Sequence, residues 1–219
     1  MNLPEFDKAF EYENNFYLSC DNTRISKILA HYELFKMTQF IPGAIVECGV
    51  FKGASLVRFG AFRDLFGNSY AKKLIGFDIF GKFPNSNYED DQKYREGFIN
   101  ETGGGVSISV EQLYEVFQQK KIENVELIKG DVTQTIPYYL KDNPHLKISL
   151  LNMDTDVYEP AVTILEQLYP RIVRGGILIV DDYGVFPGET KAVDDYFANK
   201  DVEILKFPFA MTPCYIIKK

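Results

Sequence analysis

The chain has 219 residues, 46% hydrophobic and 15% aromatic, and 24 basic against 31 acidic residues give a net charge of −7. That is enough apolar material for the core of one domain and too much for a disordered chain. The acidic balance argues against a nucleic-acid backbone as partner, and no apolar run has the length of a membrane span, so no membrane insertion is expected.

In chain order, no internal repeat, low-complexity tract or interdomain linker interrupts the sequence. The opening residues lack a basic segment followed by an apolar run, so no leader is expected. Cys20, Cys48 and Cys214 have neither metal-ligand nor redox spacing, and a cytoplasmic protein with reduced thiols is the simplest reading. Two histidines, His31 and His145, are too few for a histidine-centred metal site or triad. Over 21–40, Ile25, Ile28, Leu29, Tyr32, Leu34, Phe35 and Phe40 recur near a helical period, with Asp21 or Asn22 as cap. Pro42-Gly43 breaks the pattern, so 1–42 is expected as a helical cap on a domain of residues 43–219.

Short apolar runs then alternate with helical segments. Strands are expected at 44–50, 73–78, 125–130, 148–154 and 176–181, followed by two more at 202–207 and 214–217. Helices between the first five include 109–119, where Ser109 and Gln112 have capping-box spacing, and 159–169. This alternation predicts an α/β fold, a parallel sheet with helices on both faces. The last two strands are too close in sequence for a parallel crossover, so that pair is expected to be antiparallel. The stretch 97–109, with Gly103-Gly104-Gly105, reads either as a mobile lid or as an irregular loop.

In an open parallel sheet, ligands bind outside the carboxyl ends of the strands. After the first strand, Gly49 and Gly53 permit a tight turn and close approach to a ligand, and Ser55 stands where the next helix begins and can cap it. Asp78, after the second strand, suits a ribose diol, and Gly130, Asp131 and Val132 form a polar turn after the third. Each turn is also compatible with a generic loop. Glu47 would repel a pyrophosphate and attract an ammonium group; S-adenosylmethionine carries both a ribose and an ammonium. Asp154 and Asp156 follow the fourth strand, and Asp181 and Asp182 the fifth. If those strands are neighbours, four carboxylates meet at one edge and repel one another unless a cation joins them. Oxygen-only ligands suit Mg²⁺. Asp156 has an alternative, since with Glu159 it has the spacing to cap the next helix.

At these residues the sequence resembles the macrocin O-methyltransferase (TylF-like) family of sugar O-methyltransferases. The matching segments are Val46-Glu47-Cys48-Gly49-Val50, Gly76-Phe77-Asp78-Ile79-Phe80, Lys129-Gly130-Asp131-Val132-Thr133, Met153-Asp154-Thr155-Asp156-Val157-Tyr158, Val180-Asp181-Asp182-Tyr183 and Lys191-Ala192-Val193-Asp194. The resemblance implies the Rossmann-like, seven-stranded class I methyltransferase sheet with its last strand antiparallel. It implies that Glu47, Gly49, Gly53, Ser55, Asp78, Gly130, Asp131 and Val132 serve S-adenosylmethionine, with Glu47 and Gly49 at the methionine part. It implies Asp154, Asp181 and Asp182 as Mg²⁺ ligands and Asp156 as general base. The acceptor would be a small molecule or saccharide with a sugar hydroxyl, and the N-terminal region would shape its pocket and the contacts of a homo-oligomer. Two rivals remain: a catechol-type metal-dependent methyltransferase and a non-catalytic S-adenosylmethionine-binding partner subunit. A nicotinamide oxidoreductase is disfavoured, because the phosphate-binding glycine pattern is missing.

Overall fold

A computed structural model describes all 219 residues. The elements run α1 (Ala9–Ser19), α2 (Asn22–Thr38), β1 (Ala44–Cys48), α3 (Ala54–Phe66), β2 (Leu74–Asp78), α4 (Asp91–Glu101), α5 (Val110–Lys120), β3 (Val125–Lys129), α6 (Val132–Asp142), β4 (Ile148–Met153), α7 (Tyr158–Gln167), β5 (Ile172–Val180), α8 (Pro187–Phe197), β6 (Leu205–Lys206) and β7 (Cys214–Ile217). They form one seven-stranded sheet in the order β3-β2-β1-β4-β5-β7-β6. β1 to β5 are parallel, and β7 runs antiparallel to both β5 and β6. The expected closing hairpin is therefore present, with β7 tucked between β5 and β6.

Every residue of β1, β2 and β4 is buried, as strands covered on both faces must be. Side chains alternate between two cores. On one face Val46, Cys48, Phe77, Leu151 and Leu178 pack against Ile136 of α6, Ile164 of α7 and Val193 of α8. On the other, Ile45, Leu74, Leu150 and Ile177 pack against Leu34 and Phe35 of α2, Phe59 of α3 and Phe117 of α5. Thus α2, capped by Asp21 through the Thr23 N–H, is a layer of the sheet domain, whereas α1 buries none of its residues. Ser109 and Gln112 form the expected capping box at α5. No helix is long and apolar enough to cross a membrane.

Two local expectations change. Residues 97–101 are the end of α4, and the three glycines form a left-handed turn that returns the chain to Val106, which bridges Lys82. The fifth strand starts at Ile172, earlier than expected. Gly175-Gly176 forms an irregularity inside β5, where a Cβ on Gly176 would fall 2.8 Å from Ile172.

The sheet reverses its order between β1 and β4, the neighbours that start the two halves. At their carboxyl ends Glu47 lies beside Asn152 and Cys48 beside Met153. This switch point opens the crevice that holds the site.

Candidate active site

The crevice is a cleft of about 1000 Å³ at the carboxyl ends of β1 to β5. Its walls include Gly49, Ser55, Asp78, Gly130, Asp131 and Val132, and all four aspartates that follow β4 and β5.

The turn after β1 is shaped by close approach. Gly49 has φ +92°, and a Cβ there would sit 1.6 Å from the Asp154 carbonyl oxygen, so only glycine lets this turn cross the one after β4. Gly53, at φ +82°, starts α3 and abuts Leu113; it does not line the cleft. Ser55 caps nothing. Its Oγ donates to Glu47 Oε1 at 2.8 Å. Glu47 is fully buried beneath the cleft floor, and its Oε2 accepts from Asn152 Nδ2 at 3.3 Å. Burial pushes the Glu47 carboxyl up to about 8, outweighing the two hydrogen bonds that favour its charge. Glu47, which the sequence suggested as a carboxylate attracting an ammonium group, thus sits below the cleft wall with its charge disfavoured by burial.

The next two turns match their expected places. Asp78 ends β2 in the cleft wall and accepts the Phe51 N–H at 3.0 Å and the Phe80 N–H, which ties the β1 turn to its own. Asp131 caps α6 through the Thr133 N–H at 2.9 Å, with Gly130 and Val132 beside it in the wall.

The carboxylates divide in an unexpected way. One oxygen each of Asp154, Asp156 and Asp182 lies within 4.8 Å of the others, close to the spread that an ion with oxygen bonds of about 2.1 Å draws together. Asp181 stands apart from this trio. Its Oδ2 pairs with Lys27, and its Oδ1 lies 3.7 Å from His31 Nε2. Burial opposes charge on Asp181, but Lys27 and His31 hold its carboxyl well below the usual range. Burial and the neighbouring carboxylates push Asp154 and Asp182 well up, and burial pushes Asp156 up to about 8. Carboxylates this close ionise together only with a cation among them, and an all-oxygen set of three fits a hard divalent ion.

Asp156 does not cap α7; that position belongs to Val157. Asp156 instead has φ +64° at the centre of a three-residue turn closed by the Val157 N–H on the Thr155 carbonyl at 2.6 Å. Such a turn is strained for a residue with a side chain, and here it places the carboxyl with its two neighbours. Buried Glu189 holds the arrangement from behind. Its Oε1 accepts the Asp182 N–H at 2.9 Å, and its own N–H donates to the Asp156 carbonyl at 3.1 Å.

Lys27, Arg58 and Glu189 are absent from the sequence reading, and His31 enters it only as one of two histidines too few for a metal site or triad. Lys27 and His31 are four apart on α2, so they share a helix face, and that spacing was the available signal. Among the aromatic residues at this end of the sheet, Phe186 lines the cleft, whereas Tyr158, Tyr183 and Tyr88 turn their hydroxyls to Asp195, Asp194 and Asp90.

Residues 21–207 match the macrocin-O-methyltransferase (TylF) family. The chain is 28% identical over 158 residues to the 8-demethyl-8-(2,3-dimethoxy-alpha-L-rhamnosyl)-tetracenomycin-C 4'-O-methyltransferase of Streptomyces olivaceus, covering 71% of this chain and 58% of the relative. It is 28% identical over 166 residues to the demethyldecarbamoylnovobiocin O-methyltransferase of Streptomyces niveus, covering 74% and 61% respectively. The chain thus spans about 60% of the length of the curated relatives it matches. Among solved structures, the calicheamicin methyltransferase CalS11 superposes with a TM-score of 0.78 at 26% identity, over 99% of this chain and 86% of that one. The O-methyltransferase NovP superposes with a TM-score of 0.76 at 23% identity, over 89% and 80%, and supports the same fold.

Proposed function

The chain belongs to the macrocin-O-methyltransferase (TylF) family, and we propose from this that it moves a methyl group from S-adenosylmethionine to a sugar hydroxyl with the help of Mg²⁺. The observation that carries the reading is the trio Asp154, Asp156 and Asp182, gathered on one side of a cleft whose other side carries Asp78 and the β3 turn. Asp78 would hold the ribose, with Gly130, Asp131 and Val132 bordering the adenine. When bound, S-adenosylmethionine supplies an activated methyl, and Mg²⁺ supplies the charge that makes an acceptor hydroxyl easier to deprotonate.

The protein's own task is mostly alignment. Bound S-adenosylmethionine would supply the methyl, its sulfur leaving as the thioether, and Asp156 would take the proton of the acceptor hydroxyl on a carboxylate oxygen. Asp154 and Asp182 would hold the ion with Asp156. Asp181, anchored by Lys27 and His31, stands behind them, in place of the ligand role that the resemblance gave it. The acceptor is read as a sugar hydroxyl because the Streptomyces olivaceus relative is named for a rhamnosyl-bearing acceptor, and Phe186 offers a flat apolar surface at the cleft.

The test is a panel of activated sugars, glycosylated metabolites, polysaccharide fragments and catechols, read by mass gain of one methyl. A glycosylated acceptor should be methylated and catechols should not. EDTA should abolish turnover and Mg²⁺ restore it; full turnover in EDTA would remove the ion from the mechanism.

A further inference from the structure

Arg58 lies in the second turn of α3, half-buried in the cleft wall on the side facing α2. Of its cationic neighbours on α2, Lys27 is committed to Asp181 and Arg24 is exposed. Arg58 takes part in no ion pair of the chain. Its one hydrogen bond runs from Nη1 to His31 Nδ1 at 2.9 Å. A guanidinium only donates, so Nδ1 accepts and the His31 proton sits on Nε2, toward Asp181. The ring is fully buried and stacked on Phe59, with centroids 4.9 Å apart and planes 13° apart. Arg58 is therefore held by one nitrogen against a rigid support, with most of its five N–H groups uncommitted. An arginine fork without an anion, fixed in a ligand-sized cleft, is built for a carboxylate or phosphate.

The shape of the cleft indicates which anion. On the reading above, the adenosyl part of the cofactor runs toward Asp78 and Gly130, and the methyl faces the carboxylates after β4 and β5. Sulfonium sulfur has three substituents. The third, the aminobutyrate tail, has the α2–α3 side left to it, where Arg58 stands near Ser55. Towards Asp78, Asp154, Asp156 and Asp182 a free carboxylate would be repelled, and the other cations of the wall lack the fixed support of Arg58: Arg24 is exposed and Lys52 donates to the Val106 carbonyl. We propose that Arg58 is the anchor of the methionine carboxylate of S-adenosylmethionine, held in position by His31. This rests on the cofactor reading and adds to it a binding residue of this chain.

The test is calorimetric titration of wild type, Arg58→Gln and Arg58→Lys with two probes. S-adenosylhomocysteine carries the amino-acid tail; 5′-methylthioadenosine has the same nucleoside and lacks it. Arg58→Gln should weaken S-adenosylhomocysteine by about tenfold or more, the weight of a charge-assisted pair. Its affinity for 5′-methylthioadenosine should stay within about twofold of wild type, which also shows that the variant is folded. Arg58→Lys, with charge but no fork, should fall between. Equal weakening of both probes would overturn the proposal, since Arg58 would then act through the fold. Unchanged S-adenosylhomocysteine affinity with loss of an anionic acceptor would overturn it in favour of an acceptor anion. Wild type that binds neither probe would overturn the cofactor reading itself, and the role of Arg58 with it.

Discussion

Asp156 combines two costs at one residue: a left-handed backbone and a carboxyl buried beside two others. Costs of this kind persist where the surrounding structure imposes them and cluster at functional sites, in keeping with the role proposed for Asp156. Asp156→Gly removes both costs, so this variant should melt higher than wild type, by roughly 1–2 kcal/mol in chemical unfolding without Mg²⁺, while losing nearly all turnover. Lower stability would show that the turn is held by favourable contacts. The aspartates were legible in the sequence because each follows an apolar strand and two such strands end in acidic pairs. The division among them was not. Lys27 lies 154 residues from its partner Asp181, and no local spacing announces a contact of that range. Glu47 is a related case: the sequence places it at the end of β1, but its burial and its bonds to Ser55 and Asn152 depend on the packing of α3 and β4.

Among the elements, α2 carries most of what the sequence left hidden. Its apolar stripe predicted a helix, and its bounds fell within two residues of the observed end. What periodicity does not specify is the partner face, which here is the sheet itself. Leu34 and Phe35 dock α2 on β4 and β5 and so bring Lys27 and His31 up to Asp181. Lys27→Met leaves the buried Asp181 without its cation. The expected loss is about 2–3 kcal/mol in urea unfolding, at the low end for a broken buried pair because Lys27 is 24% exposed. Added Mg²⁺ should recover more stability in this variant than it adds to wild type. An unchanged midpoint would mean that water already screens the pair. β5 gives the complementary case. The glycine pair that punctuates the sequence there is tolerated inside the strand because Gly175 takes φ +81° and Gly176 has no room for a side chain.

At the scale of the whole molecule, strand–helix alternation and the short final connection were enough to give the class of sheet. The strand order, and with it the switch point between β1 and β4, was not in the local pattern; the family resemblance implied only the class of sheet and its antiparallel last strand. The net charge of −7 also takes on a location, because four of the 31 acidic residues converge at one edge with Lys27 among them. The turns at that edge are joined through the backbone. The Asp154 N–H donates to the Cys48 carbonyl at 2.9 Å, the Asp181 N–H donates to the Met153 carbonyl at 3.0 Å, and the Gly49 turn lies directly on the Asp154 carbonyl. The part of the cleft that would grip the cofactor and the part that would grip the ion are thus one piece of main chain. Two ligands that stiffen the same piece should assist each other, and linkage makes the help mutual: whatever factor Mg²⁺ adds to the affinity for S-adenosylhomocysteine, the nucleoside must return to Mg²⁺. Titrating each in the presence of the other should give the same factor, about fivefold or more, whereas a factor of one in both directions would mean that the two turns, though touching, bend independently.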